Sequence, residues 1–145
     1  MENREDPLVQ LRGHLPTSKK KILIIDDNAE QLYLVEAILA LGDYVTITAL
    51  SGKEALDLLS EVDEPNLILL DMKMPDMSGP EFLLRLEEKL PKILKTVPIV
   101  FLTAMDKVPL SKAVGFIRKP FDFENFLETV GRFIATGIDH GHFHH

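Results

Sequence analysis

The strongest indication of the fold comes from residues 66–79, which read Asn-Leu-Ile-Leu-Leu-Asp-Met-Lys-Met-Pro-Asp-Met-Ser-Gly. The first part of this segment is an apolar run that ends in Asp71, and Asp71 then opens the segment 71–79. A run of four or five apolar residues predicts a strand that is buried on both faces, as in a parallel sheet. The sequence therefore places a carboxylate at the carboxyl end of a buried strand.

Two further apolar runs lead into charged residues. Residues 21–25 are followed by Asp26 and Asp27, and residues 116–118 are followed by Lys119. Ligands of open parallel sheets bind outside the carboxyl ends of the strands. We therefore expect three carboxylates and one ammonium group to converge on one edge of the sheet.

The rest of the chain supplies the other elements of such a sheet. From Lys19 onward, predicted strands and helices alternate, which is typical of βα units in a parallel sheet. Five strands and at least four helices in this order predict a flavodoxin-like, doubly wound five-stranded parallel α/β sheet of order 2-1-3-4-5. We predict strands at about 21–26, 44–48, 66–71, 98–102 and 115–118, and helices that begin near Asn28, Ser51, Ser78 and Asp122.

The connection between the last two strands is short. Only 15 residues separate Thr103 from Lys119, and Pro109 would interrupt a helix that began near Asp106. The fourth helix is therefore expected to be shortened or missing.

The chain is predicted to form one domain with two extensions. Residues 19–136 form the domain, and residues 1–18, which show no sustained period, are interpreted as a flexible leader. Residues 137–145 form a His-rich tail, which we interpret as a remnant added for expression rather than a transition-metal site. No second domain that could carry an output function is recognised.

Composition excludes several classes of function. The 145 residues carry a formal net charge of −7, which argues against direct nucleic-acid binding. The absence of cysteine excludes disulfides and thiolate chemistry. No apolar stretch is long enough to span a bilayer, and the polar start lacks the apolar region of a signal peptide. We expect a cytoplasmic protein with no membrane association.

The pattern of charged residues at the strand ends resembles that of the receiver domain of two-component response regulators. In these proteins a histidine kinase phosphorylates one aspartate. The resemblance covers roughly residues 19–136 and depends on five motifs in order. They are Asp26-Asp27, Asp71 with Met74-Pro75-x-Met77-x-Gly79, Thr103-Ala104, Phe116, and Lys119-Pro120.

This resemblance implies a phosphoacceptor and a metal site. Asp71 would accept the phosphoryl group, and Mg²⁺, for which Mn²⁺ can substitute, would be the cofactor. The resemblance implies Asp27 and Asp71 as direct ligands, Asp26 as a ligand partly through water, and the backbone carbonyl of Lys73. A divalent cation offsets the repulsion between a carboxylate and an incoming phosphoryl group.

The resemblance also implies a switch around the phosphoryl group. Lys119 would supply a positive charge, Thr103 a hydroxyl hydrogen bond, and the small Ala104 an open approach. Phe116 would rotate into the space that Thr103 vacates, and thereby change a protein-interaction surface. The side chains of Lys73 and Met105 are candidates for prolonging the phosphorylated lifetime; a solvated lysine and a packed methionine explain them equally well.

The implied partners are a sensor histidine kinase or a histidine phosphotransfer protein, a downstream protein target and, as an option, a second copy of the chain. The domain would catalyse no reaction other than its own phosphorylation and dephosphorylation. Alternatives are a phosphate sink or relay receiver and an unphosphorylated docking domain. An aspartyl phosphohydrolase of the haloacid dehalogenase-like group is disfavoured because Lys73 stands where that group has its second acid, and a nucleotide-binding module because no glycine-rich phosphate loop is present.

Each motif also has a structural interpretation. Asp26 and Asp27 suit a helix N-terminus, and Asp71 suits a turn after a strand. Thr103 taken alone is more often a structural hydroxyl, and Phe116 taken alone is a core residue. Their order along successive strand ends is what favours function.

Overall fold

A central parallel sheet organises the chain. The computed structural model describes residues 19–104, 113, 115–119 and 122–137. Within them, five strands pair in parallel in the order β2-β1-β3-β4-β5, which confirms the predicted topology. The strands are β1 (Lys21–Ile25), β2 (Val45–Ala49), β3 (Leu67–Asp71), β4 (Ile99–Thr103) and β5 (Gly115–Arg118). The helices are α1 (Ala29–Leu41), α2 (Gly52–Glu61), α3 (Gly79–Lys89), α4 (Pro91–Thr96) and α5 (Phe123–Thr136).

The three inner strands are apolar along almost their whole length because helices cover both faces of the sheet. Alternate residues of each inner strand enter two separate core clusters. One cluster includes Leu23, Leu70 and Phe101 and packs against α2 and α3. The other includes Ile24 and Leu69, and packs against α1 and α5.

The register of the strands aligns their carboxyl ends. Ile25 pairs with Leu70, and Asp71 pairs with Leu102. Thr103, the last residue of β4, pairs with Arg118, the last residue of β5. The residues that end these strands or directly follow them therefore share one edge of the sheet, as the sequence predicts. We call it the carboxyl edge.

Side-chain caps begin the helices where the sequence predicts. The Asn28 side chain accepts a hydrogen bond from the Gln31 amide and caps α1. Ser51 and Ser78 accept from the amides of Glu54 and Glu81, respectively, as capping-box serines do. The Asp122 side chain likewise caps α5.

One helix is missing from the sequence prediction. Pro91 does end the apolar helix α3, whose last residue is Lys89, but α4 begins at Pro91 itself. Proline is tolerated in the first turn of a helix because the N–H that it lacks would have no intrahelical partner there. The boundaries of β1, β2, β3 and β4 also differ from the prediction by about one residue.

Some predictions lie outside the described residues. They are the leader 1–18, the tail beyond residue 137, Met105, and the shortened or missing helix between β4 and β5. Among the residues that are described, no helix combines the length and apolar character needed to cross a bilayer.

Candidate phosphoacceptor and metal site

Asp26 directly follows β1 and is held by backbone contacts on both sides. Its amide donates to the carbonyl of Ala49 (3.1 Å), which continues the pairing with β2. Its carboxylate Oδ1 accepts from the amide of Asn28 (3.0 Å). Only 1% of Asp26 is exposed, whereas Asp27, one residue later, is exposed. The two acids of the predicted pair therefore occupy different environments.

Asp71 is the last residue of β3, and the chain turns back over it. Its Oδ1 accepts from the amide of Lys73 at 3.3 Å, and its side chain is 13% exposed. The loop closes where the Gly79 amide donates to the Met72 carbonyl at 2.8 Å. A Cβ on Gly79 would stand 2.6 Å from a ring atom of Phe101, so the close approach of this loop to the sheet requires glycine.

The three acids form a cluster beside one ammonium group. Carboxylate oxygens of Asp26, Asp27 and Asp71 lie within 4.8 Å of one another. The Lys119 Nζ lies 3.6 Å from Oδ1 of Asp71 and 3.8 Å from Oδ2 of Asp26. The sequence prediction that these four residues converge is confirmed by these distances.

The cluster has the donor set that a hard divalent cation requires. Asp26 Oδ2 is buried and has no hydrogen-bond partner among the described residues, although a buried polar atom normally has one. Three carboxylate oxygens at this spacing match the oxygen ligands that Mg²⁺ and Mn²⁺ accept. The acidic cluster can therefore hold a metal ion. The buried Oδ2 of Asp26, whose described partner is the Lys119 ammonium at 3.8 Å, is the observation that best fits one.

The electrostatics of Asp26 support the same conclusion. Burial, above all, and the charge of Asp71 together raise the pKa of its carboxyl to about 6. The Asn28 amide and the Lys119 ammonium oppose this rise. The ionised form of Asp26 is thus unfavourable without an additional positive charge.

The predicted switch residues lie on β4 and β5. Thr103 is 3% exposed, and its hydroxyl lies 3.9 Å from the sulfur of Met72. Its carbonyl accepts from the Lys119 amide at 2.7 Å, which joins the two strand ends. Ala104 is exposed, and Phe116 is half-buried against the cluster that contains Met72.

The structure also brings forward features that the sequence analysis missed. Met72 is a partner of the Thr103 hydroxyl; the only sequence signal is its position directly after Asp71. Lys73, by contrast, is exposed, and its described contact is the backbone bond to Asp71.

A groove between α1 and α5 opens beside the acidic cluster. Its volume is about 690 Å³, and most of its surface is apolar. Leu34, Leu41 and Phe123, three of the residues that line it, are 51%, 73% and 48% exposed. Lys119 and Ala104 also line it, so the groove extends up to the site. Its signal in the sequence was weak because the outward apolar residues of α1 resemble a second core face.

Comparisons with known proteins agree with this geometry. The model of the response regulator receiver domain family matches residues 22–131. The chain belongs to this family. It is 30% identical over 122 residues to the polar-differentiation response regulator DivK of Brucella ovis, covering 80% of this chain and 97% of that protein. It is 32% identical over 121 residues to sporulation initiation phosphotransferase F of Bacillus subtilis, covering 79% of this chain and 94% of that protein.

Solved structures show the same fold. The chemotaxis response regulator CheY4 of Vibrio cholerae superposes with a TM-score of 0.71 at 29% identity, covering 79% of this chain and 98% of that one. A CheY-like receiver domain protein from Methanospirillum hungatei gives a TM-score of 0.72 at 29% identity, covering 81% and 96%. The receiver domain is a signalling domain, and such domains generally interact with histidine kinases or phosphotransfer proteins.

Proposed function

We propose that Asp71 accepts a phosphoryl group from a phosphohistidine of a sensor histidine kinase or histidine phosphotransfer protein. The observation that carries this proposal is the placement of Asp71 between two acids and Lys119. A carboxylate oxygen of Asp71 attacks phosphorus as the phosphorus–nitrogen bond of the donor breaks. The electron pair of that bond returns to the imidazole, and an aspartyl phosphate forms.

The proposed metal ligands are Asp26, Asp27, Asp71 and the backbone carbonyl of Lys73. The turn after Asp71, in which the Lys73 amide already contacts Oδ1 of Asp71, supports the inclusion of Lys73. Bound Mg²⁺ would supply positive charge to the carboxylate and phosphoryl oxygens, and Mn²⁺ would substitute for it. Asp26 and Asp27 then act as holding groups, since neither needs to transfer a proton.

The remaining residues would bind the phosphoryl group or change their packing when it is attached. Lys119 is 23% exposed at its side chain and close enough to Asp71 to contact an attached phosphoryl oxygen. The Thr103 hydroxyl would donate to another oxygen, with Ala104 leaving the approach open. Phe116, which pairs with Phe101 across the sheet, would then change its packing and alter the surface beside β5. Lys73 and Met105 remain candidates for tuning the phosphorylated lifetime.

The α1–α5 groove supports docking of the phosphohistidine partner. Lys119, whose Nζ lies 3.6 Å from Asp71, and Ala104 both line the groove, so a partner that docked there would lie beside Asp71. Leu34→Arg should therefore reduce phosphorylation by an isolated phosphorylated phosphotransfer domain. It should leave phosphorylation by the small donor phosphoramidate unchanged. Leu84→Arg, at an exposed leucine of α3, is the matched control and should affect neither reaction.

A relay role is the second candidate. The name of the Bacillus subtilis relative, a phosphotransferase, favours it. In that role the phosphoryl group on Asp71 would pass onward to a histidine of a second phosphotransfer protein. Direct transfer from the isolated phosphorylated protein to such a domain, faster than release of inorganic phosphate, would distinguish the relay from a switch with a protein target.

The decisive experiment is the mass of the intact protein after incubation with phosphoramidate or acetyl phosphate, with and without Mg²⁺. We expect one phosphoryl adduct that requires both Mg²⁺ and Asp71. Asp71→Asn should abolish it, whereas Asp76→Asn, at an exposed acid of the same loop, should not. An adduct that persists in the Asp71→Asn protein, or no adduct on the folded wild type, would contradict the proposal.

A further inference from the structure

The buried hydroxyl of Thr103 has a sulfur partner in the unphosphorylated protein. Thr103 is 3% exposed, and Met72, also buried, places its sulfur 3.9 Å from the hydroxyl oxygen. Thioether sulfur is a weak hydrogen-bond acceptor, much weaker than a phosphoryl oxygen. The contact with Met72, one of those that hold the hydroxyl in its resting position, is therefore easily replaced.

The backbone from which the buried Met72 side chain extends is held on two sides. The Met72 amide donates to the Leu102 carbonyl at 3.3 Å, and its carbonyl accepts from the Gly79 amide at 2.8 Å. The backbone of Gly79 packs so closely that a Cβ there would stand 3.1 Å from the Met72 Cα. Met72 is thus fixed on one side by β4 and on the other by the start of α3.

The register makes Met72 and Thr103 neighbours on one face of the sheet. Asp71 pairs with Leu102, so the next residues along both strands, Met72 and Thr103, also lie side by side. Met72 belongs to the cluster that holds Phe101, and Thr103, two residues after Phe101 on β4, lies on the same face of the sheet. Phe116 packs against this cluster. The sulfur therefore lies between the phosphoacceptor strand and the residues proposed to switch.

We propose that Met72 is a positioning residue that holds the Thr103 hydroxyl in the resting state and so opposes activation. This inference rests on the proposed function of Thr103 as a phosphoryl ligand. When a phosphoryl oxygen becomes available, the hydroxyl exchanges the sulfur for a stronger acceptor. The Met72 contact stabilises only the resting state, and its loss should therefore favour the phosphorylated one.

The test compares Met72→Leu with Met74→Leu. Leucine nearly conserves volume but has no acceptor, and Met74 belongs to the same core cluster. Binding of beryllium fluoride, a phosphoryl analogue, is titrated in buffer with Mg²⁺. For a hydrogen bond this weak, we expect Met72→Leu to tighten binding roughly two- to threefold. Met74→Leu should leave the Kd unchanged.

A second background shows whether the effect acts through the hydroxyl. In a Thr103→Val protein, the Met72→Leu change should no longer alter the Kd for beryllium fluoride. Equal effects of Met72→Leu in both backgrounds, or equal effects of the two leucine variants, would overturn the proposal, because either result indicates altered packing alone.

A readout without metal or phosphoryl analogue separates this inference from the proposed function. Side-chain NMR couplings of Thr103 in the unphosphorylated protein should indicate one χ1 rotamer in the wild type and in Met74→Leu. They should show a measurably lower population of that rotamer in Met72→Leu. An unchanged rotamer population in Met72→Leu overturns the role of Met72. A Thr103→Val protein that binds beryllium fluoride like the wild type would instead contradict the proposed role of Thr103.

Discussion

The inner strands and the carboxyl edge of the sheet differ sharply, although they are adjacent in sequence. Ile24, Ile25 and Leu69 are fully buried and have no polar side-chain atoms to satisfy. One residue after Ile25, the side chain of Asp26 is equally buried, but no residue that the structure describes forms a hydrogen bond with its Oδ2. The same sheet thus contains a segment that stabilises the fold and an edge that destabilises it.

The difference indicates where stability and function reside. Burial of an aliphatic side chain contributes about 1.5–3 kcal/mol, whereas a buried, incompletely paired carboxylate opposes folding. Such a group is retained where a ligand can compensate it, and the acidic cluster offers that compensation to a cation. We expect mutations in the two regions to change stability in opposite directions.

The largest loss of stability is expected from a mutation in the inner strands. Leu69→Ala removes a fully buried side chain from the central strand β3 and should lower the free energy of unfolding by about 4 kcal/mol. Urea denaturation of the metal-free protein measures this change. Leu84→Ala, at an exposed position of α3, is the control and should cost less than about 1 kcal/mol. A similar cost for both variants would contradict the role given to the inner strands.

The next effect has the opposite sign and comes from Asp26. Burial raises the pKa of its carboxyl from the usual 3.8 to about 6, so the folded state binds this proton more tightly. Its contribution to stability is therefore fully present below pH 4 and is lost as the pH rises to about 6. At about 1.4 kcal/mol per pKa unit, ionisation should cost about 3 kcal/mol at neutral pH.

Asp26→Asn isolates this contribution from that of the other acids. In EDTA at neutral pH, the variant should exceed the wild type in stability by up to about 3 kcal/mol, with the difference shrinking towards pH 4. Urea denaturation at several pH values measures both curves. A variant that is less stable than the wild type at neutral pH would show that Asp26 is well satisfied without a metal.

The same contrast explains how far the sequence analysis could go. The inner strands were predictable because continuous apolar runs of four or five residues have few other stable placements. The convergence of Asp26, Asp71 and Lys119 followed from the polarity of a parallel sheet, which gathers strand ends at one edge. Ser51 and Ser78 were predictable as caps because a cap depends only on residues three positions away.

Features that depend on long-range register were not predictable. The different exposure of Asp26 and Asp27 depends on which residue continues the pairing with β2. The contact of Met72 with Thr103 depends on the pairing of Asp71 with Leu102.

The short helix α4 was missed because Pro91 was interpreted only as the end of a helix, although proline also suits a helix start.

A smaller change in stability is expected when a cation binds the acidic cluster at the carboxyl edge. Mg²⁺ at ten times its Kd should stabilise the wild type by about 1.4 kcal/mol, because it binds only the folded state. Thermal or urea unfolding with and without Mg²⁺ measures the gain, after a titration fixes the Kd. Asp71→Asn should reduce or abolish it, and Asp57→Asn, at an exposed acid of α2, should retain it. Equal gains in all three proteins would indicate that the cation acts elsewhere.

The smallest change in stability is expected at Ser78. It tests whether every residue near the carboxyl edge belongs to the metal site. Ser78 lies between Asp71 and α3, and its hydroxyl accepts from the Glu81 amide at 3.2 Å. Ser78→Ala should lower the free energy of unfolding by about 1 kcal/mol, and Ser78→Asp, which can still cap the helix, should recover most of it. Because the cap stabilises the fold whether or not a cation is bound, the stability gained from Mg²⁺ should be the same in the Ser78→Ala protein as in the wild type. A gain that falls with the loss of the cap would instead place Ser78 in the site. The boundary between the two regions would then lie beyond the loop, at the first turn of α3.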